Sequence, residues 1–411
     1  MDTNTGDAAR WTLPIEELRA GFFSAVYFRR AKEILERSGR SRRVLMQVFQ
    51  KNEDAVLCGV DEALAVLEAA SGRYADPARA EELTCQCRAL EARLTRATGE
   101  AEIRSLAAER AERTAALRAL WRSAWDELCV RALPEGAPIG PWETVMTIEG
   151  DYAAFAHLES VYLGILADRT GVATRTRRVA RAALPKHVLF FGDRFKDFRT
   201  QIGDGWAAHV GGAQGVCTDA HAWAWGGEAG GTMPHALIAV LDGSTVEAAL
   251  TFADVYPDVP LVALVDYEND CVRTALECAR ALGERLYAVR LDTSENLVDE
   301  SLRRAGIPDP PTGVNPQLCE NVRRALDAEG FAHVKIIASG GMTPERIADL
   351  KGWVDAFGVG SSLLRGGHDF TADIVRVDDQ PQSKVGRVYR PNDRLVKGRI
   401  DTNSGQRTDP A

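Results

Sequence analysis

The chain has 411 residues with 45% hydrophobic and 27% charged side chains, a balance that excludes extended disorder and collagen-like order and leaves room for two or three globular domains. Lys and Arg number 50 against 59 Asp and Glu, and the net charge of -9 argues against a duplex-binding or membrane-surface protein while leaving a local anion site open. Eight scattered cysteines, with only one residue between the closest pair, Cys85 and Cys87, read as reduced thiols rather than a zinc knuckle.

The first ten residues are polar and acidic and do not read as a secretory signal, and no apolar run approaches the roughly 18 residues of a membrane helix. A cytoplasmic protein is therefore expected, with no membrane or nucleic-acid partner. From Phe22 the pattern predicts a helix to Ser38, a strand at Arg43 to Gln50 and a helix at Asp61 to Ala70, an α+β layer. Between Asp76 and Leu133 the composition turns to Ala, Arg, Glu and Leu. Asp76 is placed to cap a helix that has Pro77 at its first position. Leu83, Cys87, Leu90 and Leu94 fall at helical spacing, Thr98-Gly99 interrupts, and a second helix is expected to carry Leu117, Leu120, Trp121, Ala124 and Leu128. This reads as a helical hairpin, 76–133, inserted in an N-terminal domain of residues 1–150. Its charged outer face suits a solvated surface or an oligomer contact.

A strand at Trp142 to Ile148 and a long helix from Tyr152 to about Ala183 follow, with a domain boundary near 150 to 185. Beyond it, short apolar runs end in Gly, Asp or Arg: His187 to Gly192, Ala207 to Gly212, Gly231 to Met233, Val262 to Tyr267, Leu286 to Asp292, Val334 to Gly341 and Phe357 to Ser362. Repeated β-α punctuation of this kind predicts an incomplete α/β, TIM-like barrel over 151–365 more than an open doubly wound sheet. Residues 366–411 are expected to return to the N-terminal domain.

Barrel active sites lie at the carboxyl ends of the strands, so the residues that stop each run are the candidates. In order these are Arg194, Gly211-Gly212, Thr232 with His235, Asp266, Arg290 with Asp292, Ser339-Gly340-Gly341, and Gly360-Ser361-Ser362. The two Gly-rich turns suit a ligand phosphate, because such turns present backbone N–H groups; tight turns that use Gly only for its positive φ are the alternative. Neither a Walker loop nor a GxGxxG is present. Asp266 and Asp292 suit a hydrated Mg²⁺, ribose hydroxyls or a cationic sugar, or else cap helices. Arg194 and Arg290 suit a phosphate or carboxylate, or else surface ion pairs.

The segment Gly231-Thr232-Met233-Pro234-His235-Ala236-Leu237-Ile238 resembles a hallmark of the nicotinate phosphoribosyltransferases, the type II phosphoribosyltransferase family. Trp142 to Gly150, Phe190 to Arg194, Ala208 to Val216, Leu264 to Tyr267, Val289 to Thr293, Ile337 to Pro344 and Phe357 to Ser362 follow the family's order. The resemblance spans Phe22 to Arg390, less the insertion. It implies transfer of a phosphoribosyl group from phosphoribosyl pyrophosphate to nicotinate, with Mg²⁺ and commonly with coupled ATP hydrolysis, in NAD synthesis or salvage. It also implies a homodimer with shared active sites. By the same resemblance Phe191 and the partner's Tyr27 sandwich the pyridine ring, Arg194 and Thr232 contact the substrate, Arg290 and Asp292 hold the phosphoribosyl group, and Asp266 lies by the ribose or Mg²⁺. Ser339, Gly340, Gly341, Gly360 and Ser361 take the 5′-phosphate, and His235 matches the phosphorylated histidine of ATP-coupled members.

Ala25 replaces the family's acidic residue two positions before the tyrosine, Phe195 replaces its second arginine, and Cys217 stands where nicotinamide-using relatives carry aspartate, with Asp219 close by. The alternatives are a quinolinate or nicotinamide phosphoribosyltransferase, a barrel aldolase or isomerase, and a catalytically silent homologue that senses ligand.

Overall fold

The computed structural model describes residues 10–231 and 233–398, and the chain folds as two compact units. One takes the chain up to Asp168 and again from His368, and the other takes Arg169–Gly367.

In the first unit, α1 spans Val26–Ser38 and ends on Gly39 in the left-handed conformation. Strand β1, Arg43–Gln50, is buried along most of its length. Helix α2, Val60–Ala70, contains no Lys or Arg and is buried on nearly every side. Its first turn is held by Glu135, whose carboxylate accepts the N–H groups of Gly59 at 3.1 Å and Asp61 at 3.0 Å. Strand β2 (Gly72–Tyr74) leads into α3 (Pro77–Leu94) and α4 (Glu100–Leu120), and β3 (Trp121–Ser123) closes the excursion by pairing antiparallel with β2. Asp76 caps α3 by accepting Arg79 N–H at 3.0 Å, with Pro77 following. Ala80, Leu83 and Leu117 form a small core between the two helices.

The second hairpin helix is shorter than its spacing predicts. It stops at Leu120, because Trp121 pairs with Tyr74 and draws the backbone into extended structure. A 3₁₀ turn at Trp125–Glu127 and strand β4, Cys129–Ala132, take up the rest. The inserted helices thus occupy 77–120, Trp121–Ser123 forms a two-stranded sheet with β2, and Cys129–Ala132 belongs to a larger sheet.

That sheet is antiparallel, in the order Gln380–Pro381, Phe370–Val377, β1, β5 (Thr144–Asp151), β4 and Val396–Lys397. One helix was expected from Tyr152 onward. The chain instead makes a short turn of helix at Tyr152–Phe155, a 3₁₀ turn at Ala156–Leu158, and then α5, Glu159–Ala183. The division between the units falls inside α5.

The second unit runs β6 (His187–Phe190), α6 (Gln201–Gly211), β7 (Gly215–Val216), α7 (His235–Val240), α8 (Thr245–Val255), β8 (Leu261–Leu264), α9 (Cys271–Leu282), β9 (Leu286–Leu291), α10 (Pro316–Ala328), β10 (Lys335–Ala338), α11 (Pro344–Leu350) and β11 (Ala356–Val359). Its sheet, in the order β8-β9-β10-β11-β6-β7, is parallel at every pairing, and at the β7 edge Val216 makes one further parallel bridge, to Ala229. The strands β9, β10 and β11 are short and almost wholly buried, as in sheets covered on both faces.

Two of the expected strands are not strands. Ala207 to Gly211 lies in α6, which ends on Gly212 and buries Gly203 through Ala208; Gly205 packs so closely that a Cβ there would come 2.2 Å from the His221 carbonyl oxygen. A short apolar run cannot distinguish a buried helix face from a buried strand. Gly231 and Met233 are loop residues leading through Pro234 into α7. Thr232 lies outside the described residues, as do 1–9 and 399–411. Among the described residues no helix is long and apolar enough to cross a membrane.

Candidate active site

At the carboxyl end of the parallel sheet a cavity of about 540 Å³ is lined by Phe191, Arg194, His235, Arg290, Asp292, Ser339, Gly340, Gly341, Gly360 and Ser361. The parallel register puts them there: Leu291 pairs with Ala338, and Val359 with Phe190, so the residues just after β9, β10, β11 and β6 emerge at one edge.

The end of β6 is fixed first. Phe191 N–H donates to Val359 O at 2.8 Å, and the Phe191 ring lies on Gly358, where a Cβ would come 2.3 Å from the ring. Gly360 is likewise pressed on the Phe191 carbonyl oxygen, 2.4 Å from the position of a Cβ, and on the Phe195 ring. These two glycines serve close approach of an aromatic residue. The Arg290 guanidinium stands 5.8 Å from the Phe191 ring centroid, within cation-π range.

The turn after β10 is shaped for its N–H groups. Gly340 and Gly341 have φ of +87° and +59°, a conformation that glycine adopts without steric cost. Arg346 donates from Nη1 to the carbonyl oxygens of Gly340 at 3.1 Å and Gly341 at 3.0 Å. Each trans peptide then turns its N–H away from Arg346. Ser362 Oγ donates to Met342 O at 2.8 Å and joins this turn to the one after β11.

The charged groups are interlinked. Asp292 lies 3.6 Å from Arg290 and accepts from Ser339 Oγ at 2.9 Å. Burial lowers the basicity of Arg290, while Asp292 and Asp266 oppose that effect. Asp266 sits behind the cavity wall, with its oxygens 3.1 and 3.2 Å from His235 Nε2. Burial raises its carboxyl above the usual range, His235 counteracts this, and nearby Asp292 adds to it. Two carboxylates near enough to sense each other form one anionic corner. Beside the ring wall, Cys217 Sγ contacts Asp193 at 3.6 Å and His221 Nδ1 at 3.8 Å. Burial and Asp193 push its thiol up to about 11, so it is uncharged near neutrality.

Tyr27 belongs to the first unit, where it stands exposed near the start of α1. The sequence reading passed over Thr218, Met233 and Met342, which also line the cavity. It also passed over Lys196, two residues after Arg194 in the same loop, and over Gln201 and Asp204, which hold that loop from the helix Gln201–Gly211. Nothing in the sequence pattern around them marks them, although Asp204 is buried in the fold. Among the described residues no group of three or more His, Cys, Asp or Glu forms a ready metal cage.

No family model matches the chain. It is 29% identical over 260 residues to the nicotinate phosphoribosyltransferase pncB1 of Mycobacterium tuberculosis H37Rv, covering 61% of this chain and 54% of that protein. To the nicotinate phosphoribosyltransferase of Bacillus subtilis it is 25% identical over 267 residues, covering 63% of this chain and 48% of the other. The chain thus spans about half the length of the curated relatives it matches. Among solved structures, nicotinate-nucleotide pyrophosphorylase from Pyrococcus furiosus is 33% identical with a TM-score of 0.69, covering 90% of this chain and 79% of that one. Human nicotinic acid phosphoribosyltransferase, 18% identical with a TM-score of 0.62 over 89% of this chain and 77% of its own, shares the fold, mixed α/β with a curled parallel half-barrel.

Proposed function

The chain belongs to the nicotinate phosphoribosyltransferase family, the type II phosphoribosyltransferases, and from that premise we propose that it joins nicotinate to phosphoribosyl pyrophosphate, releasing nicotinate mononucleotide and pyrophosphate in NAD synthesis or salvage. The Pyrococcus relative is named for the cleavage of nicotinate nucleotide by pyrophosphate, which involves the same nucleotide and pyrophosphate. The observation that carries the proposal is the convergence of Phe191, Arg194, Arg290, Asp292 and two glycine turns on one cavity.

The pyridine ring stacks on Phe191, and its carboxylate pairs with Arg194. The ring nitrogen attacks the anomeric carbon as the C–O bond to pyrophosphate breaks, so positive charge builds on the ribose while negative charge builds on the leaving group. Asp292 and Asp266 stabilise the first, and Arg290 lies within reach of the second. The N–H groups of the turns after β10 and β11 hold the 5′-phosphate. Cys217 is uncharged near neutrality and adds no repulsion of its own toward a carboxylate. Asp292, with Asp266 next to it, would hold Mg²⁺, which binds through one or two protein carboxylates, and the ion would supply charge neutralisation at pyrophosphate. Tyr27 would cover the ring from the second subunit of a homodimer.

Coupling to ATP belongs to His235. With Nε2 engaged by Asp266, Nδ1 is the nitrogen that takes the γ-phosphoryl group, with ADP leaving. Pyrophosphate release measured with nicotinate, phosphoribosyl pyrophosphate and Mg²⁺ tests the function, and no release overturns it. Quinolinate brings a second carboxylate where Phe195 replaces a cation, so it should compete poorly.

A further inference from the structure

The loop from Phe191 to Asp197 carries Arg194 but has no regular structure of its own, and two side chains one turn apart on α6 grip it on either side of that arginine. Gln201 Nε2 donates to Asp193 O at 3.0 Å, and its Oε1 accepts from Thr218 Oγ1 at 3.1 Å. Asp204, 2% exposed, accepts from Lys196 Nζ at 3.0 Å and from Thr200 Oγ1 at 2.7 Å. The residues just before and two after Arg194 are thus tied to positions i and i+3 of one helix, which face the same side.

The carboxylate of Asp204 is itself held from below. Arg169 Nη1 donates to it at 3.2 Å and lies across α6 at Gly203, where a Cβ would come 2.0 Å from the guanidinium carbon. Only glycine admits that crossing. A nearly buried carboxylate between two cations is a fixed point, and a charge-assisted bond from it to a loop lysine carries directional information that packing alone does not.

We propose that Lys196, Asp204 and Gln201 are positioning residues that set the placement of Arg194, and so the affinity for the ring carboxylate, without touching substrate. The proposal rests on the functional reading above, which assigns the carboxylate to Arg194. None of the three lines the cavity among the described residues.

The test uses the full-length protein. Lys196→Met spares the Arg169–Asp204 pair, and Gln201→Ala removes the other tie, so both avoid the folding risk of Asp204→Asn. Each should raise the KM for nicotinate about tenfold while kcat and the KM for phosphoribosyl pyrophosphate stay within about twofold, as expected for a misplaced binding group. Added to Arg194→Ala, neither should raise the nicotinate KM further, since both act through that arginine. Amide hydrogen exchange across 192–198 should quicken in both variants. An unmoved KM, a rise additive to Arg194→Ala, or unchanged exchange overturns the proposal. A wild-type protein that does not turn over nicotinate defeats the functional reading instead, and the exchange measurement alone then decides whether the loop is held this way.

Discussion

His235 Nε2 lies 3.1 Å from Asp266 Oδ2, and the two side chains differ sharply in exposure, 44% against 8%. The carboxylate is the fixed member, and the imidazole leans from it into the cavity. Such a pairing sets which ring nitrogen faces the ligand, as a carboxylate does wherever it orients a reactive histidine.

Replacing this imidazole separates two activities. His235→Ala should lower ATP-coupled synthesis by more than about tenfold and change uncoupled transfer by less than about threefold, because only the coupled route uses a phosphoryl acceptor. The measurement is nicotinate mononucleotide formation with and without ATP, together with ³²P retention by the protein. Equal losses in both assays would remove His235 from the coupling role.

Arg194→Ala should raise the KM for nicotinate by about 10- to 100-fold, the range expected when a hydrogen bond to a charged group worth about 1.5–3 kcal/mol is lost. The KM for phosphoribosyl pyrophosphate should stay near its wild-type value. An unchanged nicotinate KM rejects the carboxylate assignment.

Gly358→Ala places a methyl group where the Phe191 ring now lies, at 2.3 Å. The ring must move, and kcat/KM for nicotinate should fall by about 100-fold while stability falls by only about 1–3 kcal/mol. Urea unfolding beside steady-state kinetics checks both. Full activity would mean that the ring can shift without consequence.

His157 gives a pH dependence in the first unit. It is 1% exposed, its Nε2 lies 3.1 Å from Ala70 O, and burial, with Lys32 nearby, lowers its pKa from 6.5 to about 3. The unfolded chain takes up a proton near pH 6.5 that the folded one refuses until about pH 3. Stability from this site is therefore complete above pH 6.5 and declines as the pH falls toward 3, by about 1.4 kcal/mol per pH unit. Unfolding curves for wild type and His157→Gln across that interval should differ in slope by that amount; parallel slopes would refute it.

The candidate site was legible because its residues stop apolar runs. Arg194, Asp266, Asp292, Ser339 and Gly360 each follow one, and parallel strands bring such stops to a single edge. The run at Ala207 misled because apolarity reports burial, and a glycine-rich buried helix is as apolar as a strand; the run at Gly231 was too short to tell a strand from the loop that leads into the helix at His235. Trp121 misled differently, since its helical spacing from Leu117 and Leu120 was genuine but its cross-strand partner, Tyr74, lies 47 positions earlier in the chain. Lys196, Gln201 and Asp204 were invisible because polar residues that tie a loop to the helix under it carry no periodicity or motif.

The pairing of Tyr74 with Trp121 has one more consequence. Their rings meet edge to face at 4.9 Å, so the chain leaves and re-enters the first unit at one point, and the excursion between carries its own apolar nucleus at Ala80, Leu83 and Leu117. A segment that departs and returns through a single doorway behaves as an appendix: it can lengthen, shorten or be excised over evolutionary time without re-threading anything behind it. Joining residue 74 to 121 through a tight reverse turn would make a smaller protein whose parallel sheet and candidate cavity keep every residue they now use.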